Sequence, residues 1–133
     1  MNENLVTKTA TELSNLYASG EASPVEATQA VLAQIEKHNP TLNCFCLIDP
    51  DAALASARES EERWQSGAQL SAIDGVPTSI KDLTLTRGWP TLRGSRTTDP
   101  NGPWDEDAPA TARLREAGAI LVGKTTTPEM GWK

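Results

Sequence analysis

The sequence predicts an α/β fold in which a mixed sheet is flanked by helices. Three observations carry this prediction. Helix-start signatures crowd the first half, short apolar runs recur at 44–48, 77–83 and 119–122, and prolines and glycines punctuate the chain beyond Gly75. Helices interleaved with buried strands suit a sheet covered on both faces. With 133 residues and 38% hydrophobic content, the chain has material for one domain and its core.

A short first helix is expected over residues 11–17, ending near Gly20. Ser23-Pro24-Val25-Glu26 then supplies an N-cap serine, a proline at the first helical position and a glutamate closing a capping box. The helix it opens is expected to span 24–38 with an apolar stripe of Ala27, Val31, Leu32 and Ile35. Asn39-Pro40 should stop it, because proline disfavours helical geometry in the residue before it. Residues 44–48 read as a buried strand. On it Cys44 and Cys46 are two small apolar residues of one face rather than a disulfide framework or a metal pair.

Asp49-Pro50 repeats the cap-and-proline logic and predicts a helix to about Ser66. Ala53, Ala57 and Trp64 face inward on it, while Arg58, Glu59, Glu61, Glu62 and Arg63 form the charged outer face. A loop over 66–75 leads to the second strand. Helical signal returns at Asp107, where Ala110, Leu114 and Ala117 recur at helical spacing and Gly118 provides a stop. Asp105, Glu106 and Asp107 read as cap and dipole partners of this helix rather than as metal ligands. Ala119-Ile120-Leu121-Val122 reads as a fully buried strand.

The charge balance excludes some functions. Eighteen acidic residues against twelve Lys plus Arg give a formal net charge of -6, which opposes attraction to phosphate backbones and anionic membrane surfaces. No apolar run approaches the roughly 20 residues that span a bilayer, and the N-terminus has no basic-then-apolar leader, so a cytoplasmic protein is expected. His38, the only histidine, falls near a helix end without a nucleophile nearby in sequence and is not expected to be catalytic. Trp64, Trp89, Trp104 and Trp132 are expected to pack rather than to stack on a ligand.

Gly118 to Thr125 satisfies the phosphate-loop pattern letter for letter, but its four variable residues are Ala-Ile-Leu-Val, which are themselves the strand. No loop remains to wrap a phosphate. Thr126, Thr127 and Pro128 follow in place of a helix, so no helix N-terminus faces an anion.

Lys81 is the candidate catalytic residue. It stands in the strand-like run Gly75-Val76-Pro77-Thr78-Ser79-Ile80-Lys81-Asp82, after an apolar residue and before a carboxylate. Partial burial there would disfavour its charged form and suit it to act as a general base. Ser79 would share its strand face, but an extended strand offers no oxyanion hole, so a self-contained Ser-Lys dyad is not expected.

Gly-Val-Pro-Thr-Ser-Ile-Lys-Asp-Leu at 75–83, then Arg93-Gly94-Ser95, the run 114–125 and Pro128-Glu129-Met130-Gly131 together resemble the amidase signature family, in the right order. The resemblance extends over essentially the whole chain. It implies a Ser-cisSer-Lys triad on a large mixed sheet flanked by helices, a small-molecule amide substrate, no metal or organic cofactor, and Lys81 as the triad's lysine. It places Trp132 in a loop near the family's active site. The A subunit of the transfer-RNA-dependent amidotransferase shares the signature, so that role, with partner subunits, stands as the alternative.

The bridging and nucleophilic serines of the family belong to a Gly-Ser-Ser-Gly-Gly type stretch downstream of the segment resembling 128–131. None of the nine serines here sits in a glycine-rich turn. The resemblance therefore implies that 1–133 is the N-terminal fragment of one such domain. It would be helical over 1–70, carry the lysine strand and a following α/β segment over 71–133, lack activity by itself and present open strand edges. An inactive binding or structural module is the third reading.

Overall fold

A computed structural model of the chain describes residues 3–132. After a 3-10 turn at Glu3–Thr7 come helix α1 (Ala10–Ser19), helix α2 (Pro24–Leu42), strand β1 (Phe45–Ile48), helix α3 (Pro50–Ser66), strand β2 (Pro77–Lys81), helix α4 (Pro109–Glu116) and strand β3 (Ile120–Thr125), with a second 3-10 turn at Glu129–Gly131. The expected α/β class is what the chain adopts.

The helix starts follow from their caps. Ser23 Oγ accepts from Glu26 N–H at 3.2 Å while Ser23 N–H donates to the Glu26 carboxylate at 2.9 Å, and Thr9 with Glu12 forms the same reciprocal box for α1. Asp49 caps α3 by accepting from Ala52 N–H at 3.1 Å. Each such cap is worth about 1 kcal/mol.

Three sequence expectations are corrected here. Helix α2 does not stop at His38 but runs through Pro40 to Leu42, where Asn43 in the left-handed region closes it. Pro40 lies in the last turns, where it forfeits the hydrogen bond of its own N–H without ending the helix; Asn43 N–H still reaches the Asn39 carbonyl at 2.7 Å. Strand β1 is not deeply buried: Cys44 and Cys46 are exposed, because β1 lies at an edge of the sheet. Asp107 does not cap α4, whose N-cap is Ala108 without a side-chain bond. Its carboxylate instead accepts from Arg87 N–H at 2.7 Å and from Arg115 Nε at 2.9 Å.

The described sheet has the order β1-β3-β2, with β2 parallel and β1 antiparallel to β3. The central strand is the buried one. Ile120 and Val122 of β3 pack with Ile35 of α2 and with Ala53 and Ala57 of α3, where the small alanine side chains let the helices approach the sheet. A second cluster of Leu5, Leu13, Tyr17, Ala22, Ala27 and Ala30 ties the N-terminal helices together. No helix among the described residues is long and apolar enough to cross a membrane.

Parallel pairing is what positions the site. It brings the carboxyl ends of β2 and β3 side by side, with Lys81 opposite Thr125, so the loops leaving both strands emerge at the same end.

Candidate active site

Lys81 is the last residue of β2, and its side chain is exposed. The partial burial expected of it is therefore absent. Its carbonyl accepts from Thr84 N–H at 3.0 Å, but among the described residues its ammonium has no hydrogen bond or ion pair. Ser79 is exposed on the same strand and likewise makes no bond to Lys81 among the described residues, so no dyad is assembled.

The buried lysine is Lys124. Its side chain is 0% exposed, and its Nζ lies 3.2 Å from Asp82 Oδ1, donates to the Thr84 and Pro90 carbonyls at 3.2 Å each and donates to Thr91 Oγ1 at 2.7 Å. Burial lowers its pKa from the ordinary lysine value, while the hydrogen bond and charge of Asp82 oppose that shift. A lysine so enclosed has no proton site left for a phosphate. Gly123, Lys124 and Thr125 all lie within β3, and a short 3-10 turn follows in place of a helix, so segment 118–125 does not form a phosphate loop.

Asp82 is clasped from several sides. Its N–H donates to the Thr125 carbonyl at 2.9 Å, its carbonyl accepts from Arg93 N–H at 3.0 Å, and its second carboxylate oxygen accepts from Leu92 N–H at 3.3 Å. Cys46 faces the same pair, its Sγ 3.5 Å from the Lys124 carbonyl; partial burial and then the Asp82 charge raise its thiol pKa.

Beside this pair two loops are fastened to one another. Ser95 Oγ donates to the Glu129 carboxylate at 2.7 Å, and Met130 N–H donates to the Arg93 carbonyl at 2.7 Å. Arg93 and Met130 both occupy the left-handed region, with φ of 58° and 51°, a conformation that costs a non-glycine residue about 1–3 kcal/mol and tends to mark functional sites. At Gly94 a side chain is impossible, since a Cβ would come within 2.5 Å of the Thr127 carbonyl oxygen. The segments 81–83, 93–95, 124–125 and 128–131, scattered along the sequence, thus meet at the carboxyl ends of one parallel strand pair. Crevices at such strand ends are where α/β sheets bind ligands.

Residues 26–133 match the family model described as Amidase. The chain belongs to the amidase family. Among curated relatives, the A subunit of the glutamyl-tRNA(Gln) amidotransferase of Chloroflexus aurantiacus is 43% identical over 121 residues, which are 91% of this chain and 25% of that protein. The protein of the same name in Myxococcus xanthus is 45% identical over 118 residues, 89% of this chain and 24% of the relative. The native peptide amidase from Stenotrophomonas maltophilia superposes with a TM-score of 0.84 at 29% identity, over 92% of this chain and 25% of that one. A bacterial aryl acylamidase of the amidase signature enzymes gives 0.80 at 27% identity, over 92% and 26%. This amidase-family chain spans about a quarter of the length of the curated relatives it matches.

Of the other residues weighed from sequence, His38 is exposed and partners Gln34 at 3.1 Å. Trp64 stands edge-on to Tyr17 with ring centroids 5.9 Å apart, and Trp89 and Trp104 bond Asp49 and the Pro100 carbonyl. Trp132 is 80% exposed and packs on little. Sequence reading missed the Asp82–Lys124 pair and the Ser95–Glu129 bond. Lys124 stood out in the phosphate-loop look-alike and in the family-like run 114–125 but with no role assigned, and nothing local announces a pairing between residues 42 positions apart.

Proposed function

We propose that this chain carries the base of an amidase that cleaves a carboxylic amide by a Ser-cisSer-Lys relay, and that Lys81 is that base. The observation supporting it is the placement of Lys81: an exposed amine without a partner among the described residues, at the carboxyl end of a parallel strand pair, in an amidase-family chain, where the family-like segments converge. In the proposed cycle the neutral Lys81 amine accepts a proton from a bridging serine as that serine takes one from the nucleophilic serine. The nucleophile attacks the amide carbon, the proton passes to the leaving amine, and water then hydrolyses the acyl-enzyme. Backbone N–H groups beside the nucleophile would hold the oxyanion.

The Gly-Ser-Ser-Gly-Gly stretch that would supply both serines does not occur within residues 1–133. The proposal places it over the carboxyl end of β2, within proton-transfer reach of the Lys81 amine. The substrate class is a small amide, the relay uses no metal or organic cofactor, and the site is proposed to work in the cytoplasm.

A second reading rests on the names of the relatives. The chain is 43% and 45% identical to two glutamyl-tRNA(Gln) amidotransferase A subunits, against 27–29% to the peptide amidase and the aryl acylamidase. In that reading the same site releases ammonia from an amide for transfer, and partner subunits contact the tRNA, since a net charge of -6 opposes direct contact by this chain.

The test is turnover by the polypeptide its gene encodes, on simple amides and, with candidate partners, in glutamine-dependent amidation of Glu-tRNA. Lys81→Ala is expected to lower kcat by about 10²–10⁴-fold. Near-normal hydrolysis by that variant would remove Lys81 from the mechanism. Hydrolysis by residues 1–133 alone would overturn the serine relay, and absence of turnover in every setting would favour an inactive module.

A further inference from the structure

Lys81 has a feature that the proposed chemistry leaves unexplained: its amine has no partner among the described residues, so only the main chain from which its side chain departs is held in place by hydrogen bonds. Beyond the pairing of β2 with β3, the hydrogen bonds that hold this backbone lead to one buried pair. The Lys81 carbonyl accepts from Thr84 N–H, and the Thr84 carbonyl in turn accepts from Lys124 Nζ. The next residue, Asp82, is bound to Lys124 by one carboxylate oxygen, to Leu92 N–H by the other, to Arg93 N–H by its carbonyl and to Thr125 by its own N–H. Thr91 Oγ1 and the Pro90 carbonyl complete the shell around Nζ.

We infer that the Asp82–Lys124 pair is the positioning device for Lys81, holding in one geometry the turn from which the Lys81 amine projects. This rests on the reading of Lys81 as the base. Lys124 and Asp82 are positioning residues and not catalytic ones, since both are buried and their polar atoms are taken up within the protein. An apolar pair of similar volume can replace a buried ion pair without loss of stability, whereas only directional bonds set the direction of a neighbouring main chain. Placement matters because a reacting group displaced by about 1 Å can lose 10²-fold in rate.

The test uses the protein its gene encodes and the double variant Asp82→Leu/Lys124→Met, which removes both charges together and leaves neither orphaned. Two quantities are read: amide hydrogen exchange residue by residue, and kcat apart from KM on the amide that the parent turns over. The expected result is a variant that melts cooperatively and keeps the exchange rate of Val122 in the core. Its Thr84, Leu92 and Arg93 amides should exchange about 10-fold faster or more. Its kcat should fall by about 10²-fold with KM within about twofold. Should the double variant fail to fold, Asp82→Asn carries the same measurements, since it keeps the shape and an acceptor for Lys124 but faces Leu92 N–H with an amide.

Unchanged exchange at those three amides, or equal acceleration throughout including Val122, would show a pair that merely stabilises the fold. A full kcat in the pair variant, when Lys81→Ala is inactive, would overturn the positioning role alone. Full turnover by Lys81→Ala would overturn the base reading and the positioning role with it, whatever the exchange shows.

Discussion

At the amino ends of β2 and β3, Asp74 is completely buried and its carboxylate accepts from Ser60 Oγ at 2.7 Å, from Arg63 Nε and Nη2 at 2.8 and 2.7 Å and from Leu70 N–H at 2.8 Å. Its carbonyl accepts from the Trp64 indole, and next to it the Gly75 carbonyl accepts from the Tyr17 hydroxyl while Gly75 N–H reaches Gly118. At the carboxyl ends of the same two strands, Lys81 is exposed with no side-chain hydrogen bond or ion pair among the described residues, and Arg93 and Met130 sit in the left-handed region. One end closes upon itself; the other presents groups outward. The difference fits a division in which the amino end holds the fold together while the carboxyl end carries the proposed chemistry, with the buried Asp82–Lys124 pair beneath it.

The strongest way to break this comparison is to remove Asp74. Asp74→Ala leaves the Ser60 hydroxyl, the Leu70 N–H and the partly buried Arg63 guanidinium without their acceptor. Breaking a buried pair in this way is expected to cost about 3–5 kcal/mol, against a whole-domain stability of about 5–15 kcal/mol. Urea unfolding measures it. A loss under about 1 kcal/mol would show that the amino end is not where stability resides.

A gentler form of the same perturbation is acid. Burial opposes ionisation of Asp74, but the bonds from Arg63, Leu70 and Ser60 and the Arg63 charge outweigh it and hold the carboxyl below the usual aspartate value. A depressed folded-state value contributes stability that is complete above the unfolded value of about 4 and is lost as pH falls through the folded one. The urea midpoint of the parent should therefore fall on acidification below about pH 4, and its advantage over Asp74→Ala should shrink in the same window. A constant advantage down to about pH 2 would show that ionisation of Asp74 contributes nothing.

How much of this was legible in the sequence depends on how local each determinant is. Helix α3 was readable at its start, because Asp49-Pro50 acts within a turn of where it stands, and the expected end near Ser66 is where Gly67 in the left-handed region closes it. Pro40 misled, since a proline late in a helix removes one hydrogen bond without ending the helix. The exposure of Cys44 and Cys46 follows from the strand order β1-β3-β2, a non-local fact that a five-residue apolar run does not encode. The same limit exchanged the two lysines. Lys81 and Lys124 both stand in strand-like runs, yet one is exposed and the other enclosed because segment 82–95 folds back over Lys124 alone, and β2 and β3 slip by one residue between Thr78 and Ser79. Lys81 remains the residue the family pattern selects; what failed was the burial invoked to explain it.

That exchange yields the smallest expected effect and the sharpest contrast. Lys81→Ala should change the unfolding free energy by no more than about 0.5 kcal/mol, the usual range for an exposed substitution away from any special feature. The side chain makes no hydrogen bond or ion pair among the described residues, and its backbone partners, the Thr84 N–H and the β3 register, survive truncation to alanine. A lysine retained for stability would show the opposite, a loss comparable to that of Asp74→Ala. Equal urea midpoints and slopes for the parent and Lys81→Ala, beside a large drop in turnover, would separate the residue's chemistry from the fold and support the division between the two strand ends. A loss above about 1 kcal/mol would mean that Lys81 has a structural partner, and the carboxyl end would then share in holding the molecule together.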